Sequence, residues 1–225
     1  MIMPEGCDGN AQMKFIIFSL SLLSLIGSTL TLGREARAVY FSRNSEREIF
    51  YDLAFGTDPI DLPLSSGRKR EVLETCAGAL QSAMYAFQPK EVRRAMGSRC
   101  AAFASRILVL DPTYSAAHTV QMLSSADPEV SADPLVMSQL TGPSGSWNAN
   151  LRLLKGIPLH GTGKSDVDAA LRSDILFLVQ TYGGRVWLAR LFKKNDASRP
   201  VIVETIDERP SNEKAHFLRE VAKLG

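Results

Sequence analysis

Apolar side chains recur at spacings of three and four residues on both sides of a break at Gln88-Pro89. Such a rhythm predicts one buried stripe on each of two helices. Pro89 suits a first helical turn and disfavours helical geometry at Gln88, so we expect an antiparallel hairpin from Gly67 to Pro112. The stripes comprise Leu73, Cys76, Leu80, Met84 and Phe87, then Val92, Met96, Cys100, Phe103, Ile107 and Leu110.

Two cysteines lie at matching positions in this hairpin. Cys76 precedes Gln88 by twelve residues and Cys100 follows it by twelve. At 1.5 Å per residue, both are about 18 Å from the turn and level with each other. Small neighbours, including Ala77 and Gly97, allow the close approach that a disulfide needs. We therefore predict a Cys76–Cys100 disulfide in an oxidising compartment, and a pair of buried free thiols in a reducing one.

An uncharged apolar run of eighteen residues, 15–32, lies near the N-terminus. As a helix it would be about 27 Å long, which is close to the thickness of a bilayer core. Two interpretations remain open for residues 1–38: an uncleaved membrane anchor, or a signal peptide cleaved after Ala36-Arg37-Ala38. Translation starting at Met13 instead of Met1 would give an ordinary signal-peptide start.

The charges around the apolar run conflict with the cysteines. Only Lys14 precedes the run closely, whereas Arg34, Arg37, Arg43 and Arg47 follow it, which favours a cytoplasmic position for the rest of the chain. The paired cysteines and the Ala-x-Ala site favour export. We expect a protein anchored in the inner membrane and facing the periplasm, or secreted to the periplasm.

The remaining chain also has a helical pattern. Residues 39–66 are expected to form a juxtamembrane helix and a linker from Gly56, and residues 67–225 a helical domain. Ser165 is predicted to cap a helix that ends at Gly183-Gly184. Its stripe contains Val167, Ala170, Leu171, Ile175, Leu178, Val179 and Tyr182, with Asp174 at its edge near Arg172.

Further helices are expected towards the C-terminus. One runs from Ser146 through Lys155, with Trp147 as a core anchor and Leu151 and Leu154 on the same side. Residues 199–208 are predicted to be helical despite Val201-Ile202-Val203, because no other strand-like run offers a partner. A final helix capped by Ser211 should bury Phe217, Leu218, Val221 and Leu224.

The end of the hairpin carries a resemblance to a known family. The segment Ser105-Arg106-Ile107-Leu108-Val109-Leu110-Asp111-Pro112 resembles the second helix and closing proline of a tetratricopeptide repeat, and residues 114–125 resemble the next first helix. Degenerate tetratricopeptide-like proteins occur in bacterial envelopes, some of them in envelope polysaccharide systems. The resemblance implies stacked helical hairpins that bind another envelope protein without catalysis.

Composition excludes several classes of partner. The formal net charge of +2, with no basic run interleaved with aromatic residues, does not suggest nucleic acid. His118, His160 and His216 are far apart, Cys7 lies outside the predicted fold, and no zinc-ligand spacing exists, so we expect no metal site.

Candidate chemistry is equally sparse. The string Gly161-Thr162-Gly163-Lys164-Ser165 resembles a phosphate-binding loop, but Pro158 stands where the first glycine belongs, so we expect no nucleotide and no cofactor. His160 could serve as a general base, although a solvated loop histidine is commoner. No Gly-x-Ser-x-Gly elbow exists, and we name no catalytic residue.

The sequence therefore predicts an all-α protein of stacked antiparallel hairpins behind an N-terminal apolar helix. Its expected function is that of a non-catalytic scaffold for an envelope protein, with the membrane contacted through residues 15–32. Two alternatives stay open: an enzyme with an unrecognised cleft, and a membrane-tethered subunit that faces the cytoplasm.

Overall fold

The computed structural model describes residues 8–224, and this part of the chain is helical without any strand, which confirms the predicted all-α class. Cys7 lies outside the described residues. The helices, in chain order, are α1 (Asp8–Arg43), α2 (Glu46–Phe55), α3 (Ser66–Gln81), α4 (Ala83–Ala86), α5 (Lys90–Leu110), α6 (Ser115–Ser124), α7 (Pro128–Thr141), α8 (Ser146–Gly156), α9 (Ser165–Val179), α10 (Tyr182–Lys194), α11 (Arg199–Asp207) and α12 (Ser211–Ala222).

Helix α1 carries the apolar run and continues without interruption into the folded domain. Its segment Met13–Arg43 contains a window of mean hydropathy 2.0, none of which is buried, so its length and composition suit a membrane span. Within ten residues of the end of the run the environment changes, because Ala38 and Phe41 are buried in the core. One helix therefore joins the apolar segment to the domain.

The predicted linker, 56–66, is irregular up to Ser65 and firmly attached. The Arg99 guanidinium donates to the carbonyls of Asp52 at 2.9 Å and Asp58 at 2.6 Å, and Arg106 donates to that of Ile60 at 2.8 Å. Ile60 is buried in the same apolar cluster that runs from α1 to α12. These contacts bind the segment to α5 along its length.

The predicted first helix of the hairpin is split in two. Helix α3 ends at Gln81, and the Ser82 hydroxyl accepts a hydrogen bond from the Tyr85 N–H at 3.1 Å, which caps the one-turn helix α4. Because α4 leaves the axis of α3, the stripe prediction is wrong at Met84, which is exposed, and at Phe87, which is 87% exposed. Leu110 at the end of α5 is also exposed, contrary to prediction.

The centre of the hairpin is as predicted, and a disulfide joins Cys76 to Cys100. The two Cα atoms are 5.8 Å apart, and both residues are completely buried. Ala77 and Ala104 beside them are also buried, and such small side chains let the two helices approach closely. The two cysteines still face each other, although the break at Ser82 lies within the twelve residues counted between Cys76 and Gln88.

The second half of the domain, α6 to α9, is built around an ion pair that the sequence pattern did not reveal. Asp174 was expected at the edge of α9 near Arg172, but it is completely buried and is bound by Arg152 of α8 at 2.7 and 2.6 Å. Arg152 also donates to the Ser138 hydroxyl of α7 at 3.0 Å, and Thr119 of α6 lies 2.7 Å from that hydroxyl. The network joins four helices.

The ends of α9 differ from prediction. The residue before its first turn is Lys164, and Ser165 makes no cap. Helix α9 stops at Val179, and Gly183-Gly184 lie in the first turn of α10, so Tyr182 is exposed. Gly184 packs where any side chain would overlap the Leu178 carbonyl, and its N–H donates to the Thr181 hydroxyl at 3.0 Å. The glycine permits a tight junction between two helices.

The C-terminal helices follow the predicted bounds closely. Helix α11 spans Arg199–Asp207, which confirms a helix over the Val-Ile-Val run. Trp147 of α8 packs against the core as predicted. Phe217 is buried, whereas Leu218, Leu224 and Leu154 are exposed, so their predicted burial is wrong. The short helices α8 and α12 present narrower apolar faces than a full stripe requires.

Candidate functional site: a basic groove beside the hairpin

A groove of about 670 Å³ lies between the first half of α5 and the junction of α6 with α7. The segment from Ser124 to Asp127 forms one wall, and α5 forms the other. Side chains that line the groove include Lys90, Arg93, Arg94, Ser98, Gln121 and Val130. The charged groups among them are exposed, but apolar atoms, including those of Ala101 and Pro134, make up most of the lining surface. The groove is open to solvent along its length.

Gly97 sets the depth of this groove. A Cβ atom built on Gly97 would lie 2.5 Å from the carbonyl oxygen of Ser124, so only glycine allows α5 and α6 to approach this closely. The Ser124 hydroxyl donates to the Val120 carbonyl at 2.7 Å within α6. Beyond this crossing, the N-terminal end of α5 diverges from the α6–α7 junction. The groove lies in the gap between the two.

Three cations on α5 have no ionic partner in the described part of the chain. Lys90, Arg93 and Arg94 are exposed, and none of them lies within 4.0 Å of a described carboxylate. Asp127 is the acidic residue in the lining, and its carboxylate accepts a hydrogen bond from the Glu129 N–H at 2.9 Å. The groove therefore presents a net positive charge.

One of these cations, Lys90, opposes the local helix electrostatics. The N-terminus of a helix carries a partial positive charge, so cations there cost roughly 0.3–1 kcal/mol each. Lys90 is in the first turn of α5 beside the acidic Glu91, whereas Arg93 and Arg94 follow in the second turn, where the dipole effect has largely decayed.

The groove continues past Tyr85 and Arg93 into a second recess of about 490 Å³. There Lys155 donates from Nζ to the Ser125 carbonyl at 2.6 Å, and burial lowers the pKa of its amine. Burial raises the pKa of the Tyr85 phenol, and the positive charge of Arg93 acts in the opposite direction. The Tyr85 hydroxyl donates to the Arg93 carbonyl at 3.5 Å.

The residues considered for catalysis lie elsewhere. His160 is half-buried, with Nδ1 2.8 Å from Asp168 Oδ1 and Nε2 3.9 Å from Glu204 Oε2, so it is not the solvated histidine that we expected. Asp168 also accepts from the Gly161 N–H at 3.2 Å. These bonds fold the 160–164 loop onto the first turn of α9, which gives His160 a structural role there.

The glycine-rich string forms the turn that precedes α9. Gly161 and Gly163 adopt positive φ values of 73° and 89°, which explains the choice of glycine. Lys164 pairs with Glu129 at 2.6 Å. The segment before the string is α8 followed by a 3-10 turn, where a phosphate-binding loop would follow a buried strand.

Sequence reasoning missed the basic groove, although a signal was present. The run Lys90-Glu91-Val92-Arg93-Arg94 directly after the helix-starting Pro89 gathers three cations within the first two turns of one helix. The wall formed by residues 124–127 had no comparable signal, because its position depends on how α6 packs against α5.

No protein-family model matches the chain, and neither the curated proteins nor the solved structures contain a significant match. The resemblance to tetratricopeptide proteins therefore stays a prediction.

Proposed function

We propose that this protein is a non-catalytic, membrane-anchored helical scaffold whose basic groove binds an acidic segment of another envelope protein. The observation that carries the proposal is the set of three cations without ionic partners, Lys90, Arg93 and Arg94, along one groove. An acidic peptide would neutralise them. Stacked helices commonly present such extended surfaces to protein partners.

An uncleaved anchor fits this role better than a cleaved signal. Cleavage after Ala38 would remove Glu35, whose carboxylate accepts hydrogen bonds from the N–H groups of Leu64 at 2.6 Å and Ser65 at 2.9 Å. It would also remove Ala38 from the core. Retention of the whole helix keeps these contacts and supports attachment to the membrane.

The disulfide supports a position on the oxidising side of that membrane, because disulfides persist in the periplasm and are rare in the cytoplasm. An alkaline phosphatase fused to the C-terminus should therefore be active. An inactive fusion on a stably expressed protein would place the domain in the cytoplasm and overturn this part of the proposal.

Partner binding is tested by photo-crosslinking in native membranes. A photoreactive amino acid replaces Ser98, an exposed residue of the groove, and the crosslinked protein is identified by mass spectrometry. Reversal of two groove charges, Arg93→Glu with Arg94→Glu, should remove most of the crosslinked product, because the partner segment is expected to be acidic.

The matched control reverses the exposed pair Lys193 and Lys194 at the end of α10, which changes the net charge by the same amount outside the groove. This variant should retain the crosslink. Equal crosslinking in both variants, or no crosslink from Ser98, would contradict the proposed groove.

A further inference from the structure

We infer that the end of the domain at which α1 enters rests on the lipid surface, with Leu64, Val109 and Leu110 among the lipid headgroups. The inference rests on the proposed membrane anchor and adds a second, peripheral contact to it. It concerns a different part of the molecule from the basic groove.

Leu64 lies beside the point where the anchor leaves the membrane. The apolar run ends at Leu32, and Glu35 follows within one helical turn. The Glu35 carboxylate accepts hydrogen bonds from the Leu64 N–H and from both the N–H and the hydroxyl of Ser65. The segment before α3 is thus held within one helical turn, about 5 Å, of the predicted bilayer boundary.

The end of α5 lies at the same level. From the disulfide, Ser66 is ten residues back along α3 and Leu110 is ten residues forward along α5, which corresponds to about 15 Å in each helix. The Tyr114 hydroxyl donates to the Ser66 carbonyl at 2.9 Å and ties the two ends together. Leu110 therefore shares the membrane-proximal end of the hairpin with the start of α3.

The apolar side chains at this end are unusually exposed. Val109 is 82%, Leu110 65% and Leu64 58% exposed. Adjacent turns of α5 bury Phe103 and Ile107, so the helix has two apolar faces near its end and only one of them is covered by protein. A lipid surface would cover the second face.

Two cations at this end, Arg34 and Arg106, can attract anionic headgroups, while the exposed carboxylate of Asp111 beside Leu110 opposes them. Arg34, directly above the apolar run, is exposed and makes no ion pair within the described part of the chain. Arg106 lies one turn before Leu110 and is also exposed, with one of its nitrogens bound to the Ile60 carbonyl. Each cation close to a membrane surface contributes about 1 kcal/mol of favourable free energy to the interaction with anionic headgroups.

The test measures depth in the membrane at three positions. Nitroxide labels replace Leu110, Phe87 and Leu23, one at a time, in the full-length Cys7→Ser chain reconstituted into vesicles of phosphatidylcholine and phosphatidylglycerol. Phe87 is the matched control, since it is an exposed apolar residue at the opposite end of α5, about 30 Å away. Relaxation by oxygen reports contact with lipid, and relaxation by a water-soluble nickel chelate reports contact with water.

We expect a label at position 23 to be protected from nickel, a label at 110 to be at least severalfold less accessible to nickel than one at 87, and the label at 87 to behave as in water. Equal nickel accessibility at 110 and 87, with 23 protected, would overturn the lipid contact and leave the anchor intact. Full nickel accessibility at 23 would contradict the anchor itself, and with it the proposed function.

Discussion

The hairpin of α3 and α5 and the four-helix unit of α6 to α9 are each clamped at their centre, by opposite chemistry. The hairpin is joined by one covalent bond between completely buried sulfur atoms in apolar surroundings. In the four-helix unit, a completely buried guanidinium and carboxylate are joined by hydrogen bonds and supported by hydroxyl groups. Neither clamp is accessible to solvent.

The two clamps differ in what happens when one partner is lost. A disulfide stabilises chiefly by restricting the unfolded chain. Its removal leaves two small, nearly apolar side chains in the folded core. A buried ion pair has already lost its hydration, and removal of one member leaves an uncompensated charge. Burial raises the pKa of the Asp174 carboxyl group, and the hydrogen bonds from Arg152 act in the opposite direction. The polar clamp is therefore stable only when it is complete.

The largest effect is expected from Arg152→Met, which leaves the Asp174 carboxylate buried without its partner. The free energy of unfolding should fall by about 3–5 kcal/mol, and the double variant with Asp174→Leu should recover much of that loss. Denaturant unfolding of the full chain in detergent micelles, followed by circular dichroism, measures both changes.

Arg172→Met is the control, because Arg172 binds Glu204 and Glu208 at the surface. Its effect should be at most about 1 kcal/mol. An equally small loss for Arg152→Met would mean that the buried pair does not clamp the four-helix unit.

An intermediate effect is expected when both hairpin cysteines are replaced by alanine. The bond spans a sequence separation of 24 residues, and loss of its chain-entropy contribution should cost about 3 kcal/mol. Hydrogen exchange should accelerate in α3 and α5 more than in α8 and α9, whereas Arg152→Met should show the reverse. Uniform acceleration in both variants would show that the two regions unfold as one unit.

The smallest effects on stability are expected from alanine substitutions at two glycines of the hairpin, one in a tight contact and one in open space. Gly97→Ala would push a methyl group against the Ser124 carbonyl and should destabilise the protein by about 1–3 kcal/mol. Gly78→Ala meets no atom within 4 Å on the exposed side of α3 and should stabilise by about 0.5–1 kcal/mol. Thermal unfolding that shifted in the same direction for both variants would contradict the close crossing of α5 and α6.

Periodic features were predictable from the chain because helix geometry converts spacing directly into position. The spacing that placed Cys76 and Cys100 level with each other needed only the rise per residue, and the break at Ser82 did not disturb it. The same reasoning failed at Phe87, because α4 turns away from the axis of α3. It also failed for Asp174, since a carboxylate within an apolar stripe reveals its buried partner only when α8 is packed against α9.

The sequence alone determined the all-α class, the apolar N-terminal helix and the register of the two cysteines, since these depend on local composition and on a fixed helical rise. Only the tertiary structure decided that Arg152 meets Asp174 and that Ser124 approaches Gly97 beside three cations without ionic partners. The physical reason is that both arrangements join residues more than twenty positions apart, and no periodic pattern within one helix specifies how it packs against another.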